Sequence, residues 1–521
     1  MATILIFSVI ILVTIFVPVL AATWLRRRYE TPWMVFVVGA LAFGVSQAIH
    51  IPLNNLLLAL KVLPRDVNYA ALWQTALIMG LTAGVSEALA RAGSYTLLKR
   101  RRSGADGVML GLGHGGIEMM FLGGALVAAG FSSFHSTPFE KMLEMVKSPE
   151  QMQALELQAK VFGQLTWVSF LPLVERLMAL SLHVSLSLMM LQAFRQKNIL
   201  FGVLTVFYHA LTDAAAVFLA YNVDSLLLKE LPVAIMALPA VVLTLKFWGP
   251  RKSEQTRRTS KFTRELALFA IAFRKEVTEL WRTRRFLVTI AVFVLFGVMS
   301  PLLAKFMPEM IKNMEEAKMF ADLIPEPSAT DAVTQYLKNL SQFGFITVIL
   351  LSMGGVVGEK ERGVAAVILS KPLPRWVFIG SKFAAQVLML ACGFIISTLG
   401  AWYYTAVLFK PVDVGTFALI NVLMLIWLSV FATVTLLGSV IAKSNGAAAG
   451  IGLGASMLIL LLGNIPGWGG LMPSGVMAWA NQLGTLSNET VPANGGAVAM
   501  SLVLVIMLVI GSVAVFEQQE L

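Results

Sequence analysis

Apolar runs of eighteen or more residues recur from one end of this chain to the other, and no other feature constrains its fold as much. Inside hydrocarbon, backbone N–H and C=O groups find no water, so each open run must satisfy them within itself, as a helix. Composition agrees, since 57% of the residues are apolar and 13% are charged, against roughly 25% charged in a soluble domain. The expected fold class is an all-α polytopic membrane protein with about 13 transmembrane helices in two bundles, about 7 + 6. Spans are expected near 3–24, 33–56, 71–98, 107–131, 166–192, 199–221 and 225–248, then near 286–306, 340–358, 377–408, 414–441, 446–464 and 496–516.

Between the bundles lies a basic, polar stretch, so the chain divides into a seven-span module (1–248), a cytoplasmic linker with an interfacial helix (249–285) and a six-span module (286–521). The net charge of +11 is explained by basic residues at span ends, which favours positive-inside loop bias over nucleic acid as a partner. Ala2–Ala22 has no basic residue before it and Arg26, Arg27 and Arg28 after it, the reverse of a cleavable signal. With the N-terminus outside and the C-terminus cytoplasmic, inner loops hold 27 Lys and Arg and outer loops hold 11. The expected location is the plasma (inner) membrane of a prokaryote. Segments 132–160 and 305–338 read as short amphipathic helices on the outer surface. The 465–494 loop, with Pro466, Gly467, Gly469, Gly470 and Pro473, reads as irregular. The single cysteine, Cys392, excludes a disulfide framework or thiolate metal cluster.

Ionisable groups within spans are costly and tend to mark function. Here they come in pairs four residues apart, hence on one helix face: Glu87 with Arg91, His114 with Glu118, and His209 with Asp213. The fifth span adds Glu175, Arg176 and His183. Counted from the basic end of each span, Glu87, His114, Glu118, His183, His209 and Asp213 fall in one slab roughly 10 Å thick. A carboxylate among histidines can activate a water and stabilise an oxyanion, or hold a divalent metal, or serve only as interhelical hydrogen bonding. No H-E-x-x-H occurs on any one helix, so no metal is assigned.

These residues, with G-H-G-G-I-E at 113–118, F-Y-H-A-L-T-D at 207–213 and S-Q-A-I-H-I-P-L-N at 46–54, resemble the YhfC-type intramembrane proteases, which are similar to the CAAX-protease and bacteriocin-processing superfamily. The resemblance covers about residues 1–245. It implies a glutamic-type endopeptidase with Glu87 as the base, His114 and His209 polarising the site, and Asp213 at the last polar motif position. Arg91, Glu118, Glu175, Arg176 and His183 would support that layer. The family's first motif has two adjacent Glu before the Arg, and this chain has one. Either Ala88 replaces the second Glu or Ser86 replaces the first, and the flanking G-V-S-E favours the former.

In the second module, G-E-K-E-R-G at 358–363 is followed by L-S-K-P at 369–372 and then Pro374 and Arg375. Residues 261–285 ahead of that module have the apolar spacing and basic opposite face of an interfacial helix. This pattern resembles the permease subunits of ABC type-2 exporters over about 262–521. The resemblance implies a coupling segment that seats in a separate ABC ATPase subunit, with Glu359, Glu361, Arg362 and Lys371 as its contacts, and a dimer of permease modules. No G-x-x-x-x-G-K-[ST] phosphate loop occurs, so ATP would act through that separate subunit and no cofactor is assigned to this chain. The expected function is an exporter permease fused to an intramembrane protease, coupling peptide processing to export. The alternative is a non-enzymatic permease whose first module binds or gates substrate.

Overall fold

A computed structural model describes residues 2–64, 72–137, 139–146, 149–163, 166–223, 225–248, 258–312, 326–466, 468–485 and 491–520. The linker residues 249–257, much of the 305–338 segment and Gly467 lie outside these. Twelve helices among the described residues are long and apolar enough to cross a membrane. The remaining expected span, 71–98, is the 26-residue helix Leu72–Leu97. It falls outside the twelve because its buried face carries Ser86, Glu87, Arg91, Ser94 and Tyr95 in place of aliphatic residues. The chain separates into two compact units, Met1–Phe134 with Phe139–Ser253, and His135–Pro138 with Glu254–Leu521.

The first unit contains α1 (Ala2–Tyr29), α2 (Trp33–Ala59), α3 (Leu72–Leu97), α4 (Gly104–Met119), α5 (Val127–Ser136), α6 (Phe139–Met145), α7 (Pro149–Phe162), α8 (Leu171–Arg195), α9 (Leu200–Asn222) and α10 (Leu231–Trp248). Helix α8 is central, and its stretch from Leu182 to Gln192 is buried throughout. It packs against α4, α9 and α10, while α3 lies along α9 and α2. A capping box starts α4: Ser103 Oγ accepts from Asp106 N (3.1 Å) and Asp106 Oδ2 accepts from Ser103 N (2.8 Å), which satisfies two otherwise orphaned helix-end donors. Glycine then lets α4 approach α8, because a Cβ on Gly115 would lie 2.6 Å from His183 Cβ. The expected continuous span 107–131 is interrupted by a π-helical segment, Met120–Leu126. Its wider turns shift the register of the helix face just beyond His114 and Glu118.

The second unit contains α11 (Arg258–Arg282), α12 (Arg285–Lys312), α13 (Ala329–Asn339), α14 (Phe345–Met353), α15 (Val357–Glu361), α16 (Val364–Leu369), α17 (Arg375–Leu408), α18 (Val414–Ile441), α19 (Asn445–Leu462), α20 (Pro473–Gly484) and α21 (Gly495–Glu517). Its core forms around α18, with Phe293, Tyr336, Leu337, Phe417, Trp427 and Phe431. One expectation is sharpened and one corrected. Helix α13 is amphipathic, as expected for its segment: Asp331, Thr334 and Lys338 are exposed, while Ala332, Val333, Tyr336 and Leu337 bury its apolar face in that core. The 465–494 loop is not irregular throughout, since Pro473 at the first helical position starts the 12-residue α20, which buries Val476 and Ala480. Proline there forfeits a donor that would be unpaired anyway.

Candidate functional site

Four helices of the first unit aim their polar residues at one point. Glu87 Oε2 on α3 accepts from Arg91 Nη2 (3.0 Å), one turn along the same helix, and from His114 Nε2 on α4 (3.0 Å). The same oxygen faces His209 Nδ1 on α9 at 3.4 Å and His183 Nδ1 on α8 at 3.6 Å. Glu87, Arg91, His114, His183 and His209 are all buried. The rings of His114 and His183, and those of His183 and His209, lie with centroids 5.5 Å apart in each pair. Three imidazoles therefore surround one carboxylate oxygen.

Around this group lies a second set of contacts. His183 Nε2 is 2.8 Å from Glu118 Oε2, and Arg176 Nη1 donates to Glu118 Oε1 at 3.2 Å. Arg176 also grips Glu175. His209 Nε2 lies 3.4 Å from Asp213 Oδ2, and the Asp213 side chain is 36% exposed, so the cluster reaches accessible surface on that side. All nine residues singled out in the first module by the sequence are brought into one connected group. Sequence reasoning missed Tyr95, whose hydroxyl donates to Ser187 O (2.8 Å). It also assigned no role to Asn54, which accepts from Thr82 Oγ1 (2.8 Å) and pairs with His50 (2.9 Å). The one-turn spacing of Glu87, Arg91 and Tyr95 on α3 was the available signal.

Tautomers follow from Arg91. A guanidinium only donates, and Arg91 Nη2 lies 2.7 Å from His183 Nδ1, so that nitrogen accepts and the ring proton of neutral His183 sits on Nε2, toward Glu118. His209 Nδ1 is buried without a hydrogen-bond partner among the described residues.

In the second unit the expected coupling segment forms a compact hairpin. Gly363 turns it at φ 69°, left-handed backbone that glycine adopts without Cβ strain. Glu361, Arg362 and Lys371 are exposed, as is Val367 on α16. Glu359 departs from the expectation of a partner contact because it is buried. Its Oε1 takes Lys275 Nζ from α11 (2.5 Å) and Lys382 Nζ from α17 (2.8 Å). Lys382 also meets Glu276 (3.0 Å), and Lys275 meets Glu279 (2.7 Å). Burial works against charge on Lys275, but Glu276, Glu279 and Glu359 outweigh it and hold this lysine above its ordinary value. The sequence showed Lys275, Glu276 and Glu279 only as the polar face of an amphipathic helix.

Such a network loses most when one partner is removed. Replacing Lys382 by Met should destabilise the detergent-solubilised protein by about 3 kcal/mol, because two buried carboxylates would then share one half-exposed ammonium. A thermal melt checks this, and an unchanged midpoint would show that the network does not hold α11 to the hairpin.

Comparison with known proteins divides the chain in the same two. Residues 13–233 match the family described as YhfC intramembrane metalloprotease, and residues 270–487 match the family described as ABC-2 family transporter protein. Two relatives from Bacillus subtilis (strain 168) are similar over roughly half the chain. The uncharacterized transmembrane protein YxlG is 26% identical over 250 residues, covering 47% of this chain and 96% of the relative. The uncharacterized membrane protein YhfC is 28% identical over 240 residues, covering 44% of this chain and 90% of the relative. The chain thus joins a YhfC-like membrane module to an ABC-2 transporter membrane module, and the latter implies an ATPase partner.

The first family's description invokes a metal, and the donor set can be tested against it. Glu87, His183 and His209 offer ligand atoms within 4.8 Å of one another. An imidazole nitrogen has one in-plane lone pair, however, and Arg91 occupies that of His183 Nδ1 while also donating to Glu87 Oε2. With Arg91 in place a cation would keep His209 Nδ1 and the Glu87 carboxylate from that set, with His114 Nε2, 3.0 Å from the same Glu87 oxygen, as a third donor. In the arrangement seen, the Glu87-facing nitrogens of His114 and His183 are engaged with Glu87 and Arg91, which favours a hydrogen-bonded cluster over a metal centre.

Proposed function

We infer that the first module is a glutamate-dependent intramembrane endopeptidase and that the second is the permease half of an ATP-driven exporter, so that a peptide is cut and expelled by one polypeptide. The observation that carries the peptidase reading is the 3.4 Å approach of His209 Nδ1 to Glu87 Oε2. Nδ1 has no hydrogen-bond partner among the described residues, and with Nε2 turned toward Asp213 it is placed to accept from a water that also donates to Glu87. A water there would give a proton to Glu87 as its oxygen attacks the peptide carbonyl carbon. That proton would then pass to the amide nitrogen as the C–N bond breaks, leaving a carboxylic acid and an amine. His209, steadied by Asp213, would orient the water. His114 and Arg91 would hold the Glu87 carboxylate in place, and the Glu118–Arg176 pair would hold His183.

Support for the permease reading comes from the hairpin, where exposed Glu361, Arg362 and Lys371 flank the exposed apolar Val367 along the chain. Charged groups at the rim of a small apolar anchor suit docking to a separate ATPase. In this reading residues 1–248 are the peptidase, 249–285 the cytoplasmic connection and 286–521 the permease. Two permease modules form the pathway in a prokaryotic plasma membrane, with the N-terminus outside and the C-terminus cytoplasmic.

Metal removal separates this mechanism from the metal-dependent one. Purified protein should cleave a peptide precursor encoded beside its gene at the same rate before and after dialysis against 1,10-phenanthroline. Loss of cleavage that zinc restores would overturn the glutamate mechanism.

A further inference from the structure

The basic end of the first unit encloses a cavity of about 610 Å³ that lies apart from the Glu87 cluster. Arg100, Arg101, Arg102 and Arg195 line it, against two acids, Glu30 and Asp106. Asp106 is already committed, accepting from Ser103 N (2.8 Å) and Ser103 Oγ (2.7 Å) in the capping box of α4. Two of the arginines are fixed by backbone carbonyls: Arg102 Nη2 donates to Tyr95 O (3.1 Å) and Arg195 Nε to Arg102 O (2.7 Å). Each still has further N–H groups to offer, since a guanidinium carries five.

Two donors on this wall lack an acceptor. Arg102 Nε and Trp248 Nε1 are buried without a hydrogen-bond partner among the described residues, and both residues line the cavity. Buried N–H groups left unmatched cost free energy, so the wall calls for a ligand with several acceptor oxygens and negative charge. The location narrows the class. The cavity sits where α1, α3, α8 and α10 end and α4 begins, just past their apolar stretches. Trp248 packs edge-on against Tyr29 (5.5 Å) and Trp24 (6.3 Å), and such aromatics belong at the headgroup level of a bilayer. Basic pockets between helices at that level recognise phosphate-bearing headgroups.

We propose that this cavity binds a phosphate-bearing anion, with the arginines as its ligands. The chemistry is shared by an anionic phospholipid headgroup and a soluble phosphate compound, and the test separates them. Full-length protein, freed of lipid in detergent, is titrated with phosphatidylglycerol by native mass spectrometry and with inorganic phosphate by thermal melting. The same is done for the R100Q/R101Q double variant, whose exposed side chains can be changed without disturbing the core, and for Arg282→Gln in the other unit. Wild type and Arg282→Gln should retain phosphatidylglycerol about tenfold more tightly than the double variant, the loss expected from one to two charge-assisted contacts. If only inorganic phosphate distinguishes wild type from the double variant, the site stands with a soluble phosphate as its ligand. If neither probe distinguishes them, or if Arg282→Gln weakens binding as much, the proposal is wrong.

Discussion

Replacing Glu87 by Gln should lower peptide cleavage by about 10²–10⁴-fold, the usual contribution of a positioned general base, while the protein stays folded. Glutamine has nearly the same shape, and its amide oxygen can still accept from Arg91 and His114, the two donors on Glu87 Oε2. What it cannot do is take a proton from water. Chromatography of the cleaved precursor over time reads the rate, and a melt confirms the fold. Unchanged cleavage would make Glu87 a structural acid and remove the basis for the proposed chemistry. Replacing His209 by Ala should fall in the same range, because its Nδ1 is the other group facing the proposed water.

The second large effect is expected at Arg91. This side chain is fully buried, and its Nη2 alone donates both to Glu87 Oε2 (3.0 Å) and to His183 Nδ1 (2.7 Å). Methionine would fill much of its volume but leave the carboxylate and imidazole without their shared cation, a loss of about 3–5 kcal/mol when a buried pair is broken. Lysine should recover only part of this, since a single ammonium point charge does not reproduce the planar fork. Arg91→Met should also free the His183 lone pair and complete a three-donor set with Glu87 and His209. Elemental analysis should then find zinc retained by the variant and not by wild type. A variant that melts like wild type would show that Arg91 does not hold this cluster together.

Much of this architecture is legible in the sequence because membrane spans advertise themselves through length and composition, and the i, i+4 pairs fix which residues share a helix face. Equal depth along four spans then brings Glu87, His114, His183 and His209 to one level before any tertiary contact is known. Spacing does not reveal lateral contacts. That Arg91 reaches across to His183 on α8, instead of serving only Glu87 one turn away, depends on how closely α3, α4 and α8 approach. The same holds for Glu359, which in sequence belongs to a charged turn and in three dimensions is buried between Lys275 and Lys382. Helix α20 was hidden because Gly and Pro dominate its flanks, while Val476 and Ala480, which bury it, are too few to show a period.

The peptide delivered across a membrane tests the account most directly. Proteoliposomes containing this chain and its ATPase partner would be supplied with the peptide precursor and ATP, and the peptide reaching the far side weighed by mass spectrometry. The account predicts that wild type delivers the cleaved peptide in an ATP-dependent manner and that Glu87→Gln delivers none of the cleaved form. Equal delivery of cleaved peptide by both proteins would contradict it.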